Sequence, residues 1–156
     1  MYIILMRHGN AEPETDKVSN RNRALTEKGI RNVERTAGML RHFLKENELT
    51  ILASPYRRTR ETAQIVADVC GGSVQTAEEL VQSSWQLTAA HCLPGEGPVL
   101  LVSHHPFLQS YLMTVCGAAI QFDPAAAAVI DYDRQWRQGK LLGYFTAPLR
   151  KLKKKG

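Results

Sequence analysis

A three-layer α/β/α sandwich with a mostly parallel, mixed central sheet is the fold class this chain predicts, and three observations lead there. Short apolar runs rich in branched side chains recur along the chain. Stretches with helical spacing stand between the first four of these runs, the pattern of parallel strands joined by helices. Two late runs follow one another with no helix between them, which makes the sheet mixed. At 156 residues, with 44% hydrophobic and 22% charged content, the chain suits one domain with its own core.

The elements follow in order. Residues 2–6 are continuously apolar and read as a buried strand. Residues 11–22 are polar, contain Pro13, and read as a loop. Thr26 is the expected N-cap of a helix whose Ile30, Val33, Ala37, Leu40 and Leu44 recur at helical spacing. Residues 51–54 form a short strand that stops at Pro55. A second helix is expected over 56–70, with Ala63, Ile65, Val66 and Val69 inward and Gly71-Gly72 ending it. A weak strand over 74–76, a helix over 83–92 and a turn over 94–98 come next. Residues 99–103 are the strongest strand, followed by a helix over 106–116. Residues 128–132 and 141–145 read as late strands, in a hairpin turning near Gly139.

The net charge of +5 is a property of the end of the chain. Arg150, Lys151, Lys153, Lys154 and Lys155 supply five positive charges, and the rest of the chain balances 15 basic against 15 acidic residues. Residues 1–149 are therefore read as the domain and 150–156 as a solvated basic tail. Twelve of the twenty basic residues fall in the first sixty positions and none between Glu61 and Asp133, so an anion site would draw its arginines from the first half. No run of eighteen apolar residues occurs, and the apolar N-terminus lacks a basic leader and a small-residue cleavage site; a cytoplasmic address is expected. Cys70, Cys92 and Cys116 show no CxxC spacing and read as ordinary half-buried thiols. A cysteine-dependent phosphatase needs Arg six residues after its Cys; here those positions hold Thr76, Pro98 and Phe122.

Three polar segments sit at the carboxyl ends of expected strands: Arg7-His8-Gly9, Ser54-Pro55-Tyr56-Arg57-Arg58 and Ser103-His104-His105-Pro106. Open α/β sheets bind ligands along that edge, provided the three strands are neighbours. Arg7 and Arg58 can fork onto phosphate oxygens, and a positive field keeps the imidazoles of His8 and His104 neutral and nucleophilic. Gly9 would let the backbone pass close to a ligand. Taken singly, each feature has an ordinary reading: His104 as a satisfied core histidine, Arg57, Arg58 and Arg60 as a solvated helix face, His104-His105 as half of a metal site. Their coincidence at strand ends favours phosphoryl transfer with in-line attack by an imidazole nitrogen.

Met6-Arg7-His8-Gly9-Asn10-Ala11, Arg23-Ala24-Leu25-Thr26-Glu27-Lys28-Gly29, Ser54-Pro55-Tyr56-Arg57-Arg58-Thr59-Arg60-Glu61-Thr62-Ala63 and Ser103-His104-His105-Pro106 together resemble the signature blocks of the histidine phosphatase (phosphoglycerate mutase-like) superfamily. The short length resembles its minimal members, the SixA-type protein histidine phosphatases. The resemblance implies His8 as nucleophile, Arg7, Arg58 and His104 as the phosphate pocket, Arg23 at its edge, and Gly9, Asn10 and His105 beside the substrate. It implies no cofactor and no metal. Four positions depart from the usual pattern: Glu61 stands for Gln, Ser103 for Gly, and Asn10 and Asn20 for Asp, the last two removing negative charge near the mouth.

Larger members carry an acid that protonates an alkoxide leaving group, and Glu78 and Glu79 lie where it would be sought, without the usual insertion around them. A phosphoramidate releases an imidazole, a far better leaving group, and manages without that acid. The expected substrate is thus a protein-borne phosphohistidine, and the expected partners are a histidine-containing phosphotransfer domain and phosphate, with no nucleic acid, membrane or second copy required. A small-molecule phosphomonoesterase using Glu78 or Glu79, and a catalytically silent phosphoprotein-binding module, are the competing readings.

Overall fold

The computed structural model of the chain describes residues 1–81, 95–147 and 155. The helix expected over 83–92, Cys92 and nearly all of the basic tail lie outside the described residues. The elements are β1 (Tyr2–Arg7), α1 (Glu27–Leu44), β2 (Thr50–Ala53), α2 (Arg57–Cys70), β3 (Ser73–Thr76), β4 (Val99–Ser103), α3 (Phe107–Cys116), β5 (Ala127–Asp133) and β6 (Gln138–Phe145). They form a sheet in the order β3-β2-β4-β1-β5-β6. The first four strands are parallel, β5 runs antiparallel to β1, and β6 antiparallel to β5.

Both faces of the sheet are covered, which is why β1 and β4 are apolar without interruption. Successive side chains of a strand point to opposite faces. Ile3, Leu5, Val99 and Leu101 join Phe107, Leu108, Tyr111 and Leu112 of α3 in one core. Ile4, Met6, Leu100 and Val102 join Val33, Ala37 and Leu40 of α1 and Ala63 and Val66 of α2 in the other. Each of the valine, leucine and isoleucine side chains contributes about 1.5–3 kcal/mol by leaving water. Among the described residues no helix is long and apolar enough to cross a membrane.

Helix α1 begins where expected: the Thr26 hydroxyl oxygen accepts from the Gly29 amide at 2.9 Å. Its inner face runs through Gly29, Asn32, Val33, Thr36, Ala37, Leu40 and Leu44. Ile30, expected inward, is exposed, because that face is centred on Gly29 rather than on its neighbour. Ile65 and Val69 of α2 are only half-buried at the margin of its core. The late hairpin does not turn at Gly139. It turns over residues 134–137, where the Asp133 carboxylate accepts from the Gln135 and Trp136 amides at 2.8 and 3.1 Å. Gly139 pairs with Tyr132 inside β6, and a Cβ there would lie 2.4 Å from Ile130 and 2.9 Å from Val115; glycine is needed for packing, not for turning.

Candidate active site

The strand order makes β2, β4 and β1 neighbours, with β4 in the middle. Arg7 pairs with Ser103 and Ala53 with Val102, so the segments that begin at His8, Ser54 and His104 leave the sheet side by side. The His8 backbone is held from both sides: its amide donates to the Ser103 carbonyl at 3.4 Å and its carbonyl accepts from the Ala125 amide at 3.0 Å.

The ring of His8 has a defined tautomer. Nδ1 lies 2.7 Å from the Gly9 carbonyl, which can only accept, so Nδ1 carries the proton and Nε2 the lone pair. Arg58 Nε donates to that Nε2 at 3.3 Å. The pKa of His8 is lowered to about 4, first by burial and then by the cations of Arg58, Arg7 and Arg23. The positive field is thus the secondary cause of neutrality, behind burial.

The arginines are spent on backbone as well as aimed at the ring. Arg7 Nη1 donates to the Phe122 carbonyl at 2.8 Å, while its buried Nε has no hydrogen-bond partner among the described residues. Arg58 Nη1 donates to the Asn20 carbonyl at 2.8 Å, and its guanidinium lies 4.8 Å from the centroid of the Tyr56 ring. Arg23 donates to the Glu12 carbonyl at 2.6 Å and to the Asn20 side-chain oxygen at 3.1 Å. Asn20 thus bridges two arginines through neutral oxygens, its backbone carbonyl to Arg58 and its side chain to Arg23, and among the described residues neither guanidinium has a carboxylate within salt-bridge distance. Arg57, one residue from Arg58 and about 100° round the helix, is exposed and pairs with Glu61 at 3.6 Å.

His104 stands 5.4 Å from His8, centroid to centroid, and 4.8 Å from Tyr56. Its Nε2 lies 2.6 Å from the Ser54 hydroxyl, and its buried Nδ1 has no partner among the described residues. Burial, then His8, then Arg58 and Arg7 lower its pKa to about 3. His105 points elsewhere: its Nε2 lies 3.0 Å from the Phe122 carbonyl, the oxygen that also receives Arg7, so its ring braces Arg7's anchor.

Gly9 and Asn10 shape the site from behind. A Cβ on Gly9 would meet Val33 at 2.8 Å and the Gly29 carbonyl at 2.9 Å, and one on Gly29 would meet the Asn10 carbonyl at 2.2 Å. The two glycines let the loop after β1 cross the first turn of α1, a packing need that the sequence reading of Gly9 did not include. The Asn10 carbonyl accepts from the Thr26 amide at 2.9 Å and its side chain accepts from Asn32 at 3.4 Å, so its recorded contacts also face α1.

Two of the departures acquire physical uses. Glu61 accepts from the Leu25 amide at 2.9 Å, tying the second block to the third. The Ser103 hydroxyl donates to the Leu80 carbonyl at 2.6 Å, pinning the 3-10 turn of residues 78–80 beside β4. Glu78 on that turn is exposed and paired with Arg21 at 3.3 Å. Arg21 in turn lies over Tyr56 at 5.1 Å.

Sequence reasoning passed over the hydroxyls under this site. Thr62 accepts from the Gly9 amide at 3.1 Å and donates to the Arg58 carbonyl at 2.7 Å. Ser54 and Thr59 are 2.7 Å apart beneath His104. The available signal was that Thr59 and Thr62 share the inner stripe of α2 with Ala63 and Val66, where polar residues need a reason. Taken together, the residues provide a neutral imidazole with an aimed lone pair among three guanidinium groups, a set suited to binding an anion and attacking it.

The sequence model of the "Histidine phosphatase superfamily (branch 1)" matches residues 3–89, which carry the first three blocks; His104 lies beyond the match. A 2,3-bisphosphoglycerate-dependent phosphoglycerate mutase of Thermoplasma acidophilum is 34% identical over 82 residues. That match covers 51% of this chain and 40% of the mutase, so the chain corresponds to well under half of that relative. A SixA structure from Agrobacterium tumefaciens has a similar fold, with a TM-score of 0.79 and 22% identity over 94% of this chain and 98% of that one. The protein histidine phosphatase SixA complexed with tungstate superposes with a TM-score of 0.78 and 24% identity over 94% and 97%. Since the family match spans more than half of the sequence and includes the Arg7-His8-Gly9 strand end, this chain belongs to the histidine phosphatase superfamily (branch 1).

Proposed function

We propose that the chain is a phosphohistidine phosphatase that works through a covalent phospho-His8 intermediate. The observation that carries this is the tautomer of His8: Nδ1–H is held on the Gly9 carbonyl, and the Nε2 lone pair lies beside Arg58. Nε2 attacks phosphorus in line, and the bond from phosphorus to the substrate nitrogen breaks with its electron pair staying on that nitrogen; the substrate ring, protonated on its other nitrogen, departs as neutral imidazole. Water then attacks phospho-His8, the phosphorus–Nε2 bond breaks, and phosphate departs. Arg7, Arg58 and His104 hold the equatorial oxygens, with Arg23 at the edge.

The substrate class rests on the leaving group. Glu78 is turned to solvent in an ion pair with Arg21, and among the described residues no contact joins Glu78 or Glu79 to His8 or His104. A site without a placed acid suits a phosphoramidate, whose imidazole leaves readily, and fold similarity to two SixA structures supports a protein-borne substrate. The test is turnover of a phosphohistidine peptide against an aryl phosphate and a sugar phosphate, in the wild type and in Glu78→Gln and Glu79→Gln. Preference for the peptide, unchanged in both variants, is expected. A tenfold drop from either glutamate change would establish the phosphomonoesterase reading instead.

A further inference from the structure

Two of the buried hydroxyls beneath His104 form a chain whose protons can be counted. Thr59 Oγ1 lies 2.8 Å from the Ser54 carbonyl and 2.8 Å from the Tyr56 carbonyl. Carbonyl oxygens bring no proton, so at these separations the single Thr59 proton is committed to them. The 2.7 Å contact between Ser54 Oγ and Thr59 Oγ1 must then be made by the Ser54 proton. That leaves Ser54 Oγ as acceptor in its 2.6 Å contact with His104 Nε2, so the proton there belongs to the imidazole. Ser54 and Thr59 are wholly buried, so water does not readily rearrange this order.

We propose that Ser54 is a positioning residue that, with Thr59 behind it, fixes His104 as its Nε2–H tautomer and leaves Nδ1 as a lone-pair acceptor for the phosphoryl group. This rests on the reading of His104 as part of the phosphoryl pocket. His8 and His104 then carry opposite tautomers, His8 presenting Nε2 and His104 presenting Nδ1. The O–H of a singly protonated phosphoryl group, or of the hydrolytic water, finds its acceptor at Nδ1. That nitrogen is buried and has no partner among the described residues, an unfavourable arrangement that a bound O–H relieves. Its lowered pKa keeps it unprotonated at neutral pH.

Ring 15N–1H correlation spectra of the full chain, labelled at histidine nitrogen, test this at neutral pH with and without inorganic phosphate. In the unliganded wild type, His104 is expected to carry its proton on Nε2 and His8 on Nδ1. Ser54→Ala should lose the single His104 tautomer, with kcat on a small phosphoramidate falling about tenfold or more and KM holding within about twofold. Ser54→Thr, which keeps the hydroxyl, should restore both the tautomer and most of kcat. A proton on Nδ1 of His104 in the wild type overturns the proposal, as does an unchanged tautomer and kcat in Ser54→Ala. The wild-type spectrum needs no variant to fold. It is also read without turnover, so loss of the phosphatase reading would appear separately, as a wild type inactive on every phosphoryl substrate.

Discussion

The two ends of the sheet treat their polar side chains in opposite ways. At the carboxyl edge of β1, β2 and β4, Arg58 is 6% exposed and its donors go to a backbone carbonyl and a histidine nitrogen. At the other end, beyond the start of β1, the β5–β6 turn leaves Trp136 71% exposed with Arg134, Gln135 and Arg137 in solvent around it. Burying a cation without a carboxylate partner is costly, and a chain that does so at one edge only is spending stability where something must recover it. The difference teaches that burial, rather than the number of charges, marks the site: both ends carry arginines, and only one encloses them.

The largest expected effect is at the nucleophile. His8→Ala should abolish turnover, measured on a phosphohistidine peptide, and retained turnover would remove the assignment. Next come the enclosed cations. Arg58→Ala or Arg7→Ala should cost about 3 kcal/mol or more in kcat/KM, while Arg57→Ala and Trp136→Ser, both exposed, should change it within about twofold. A larger loss at Arg57 than at Arg58 would break the comparison.

A smaller effect concerns acid. The fold lowers the pKa of His8 to about 4 and of His104 to about 3, below the ordinary 6.5, so the unfolded chain takes up protons that the folded one refuses. Stability from these imidazoles is therefore present above pH 6.5 and is lost as pH falls, toward 4 for His8 and toward 3 for His104. In urea unfolding at pH 7 and pH 4.5, each should account for a loss of about 2–3 kcal/mol. His8→Ala should lose correspondingly less on acidification than the wild type, and an equal loss in both would contradict the burial account.

Much of this edge was legible in sequence because the apolar runs 2–6 and 99–103 stop abruptly at Arg7 and His104, and the run 51–54 stops at Pro55 just before Arg57-Arg58; a run that must be buried on both faces locates the sheet. What was not legible depends on contacts across the chain. The Phe122 carbonyl that anchors both Arg7 and His105 has no signature, since every residue carries one. Gly9 looks the same in sequence whether its missing side chain makes way for a ligand or, as here, for Val33 and Gly29. Gly139 misled for the same reason, its hydrogen facing Ile130 rather than permitting a turn. Ser54 and Thr59 read as ordinary polar residues until the fold sets His104 on top of them.

The most direct test is to trap the phosphoenzyme. Brief reaction of the wild-type chain, histidine-labelled with 15N, with a phosphohistidine peptide, followed by quenching in alkali, should leave an acid-labile, alkali-stable phosphoryl group. Phosphorus–nitrogen coupling should place it on Nε2 of His8, the nitrogen that the Gly9 carbonyl leaves free. A phosphoryl group on Nδ1, on His104, or on no histidine while turnover proceeds would contradict the account.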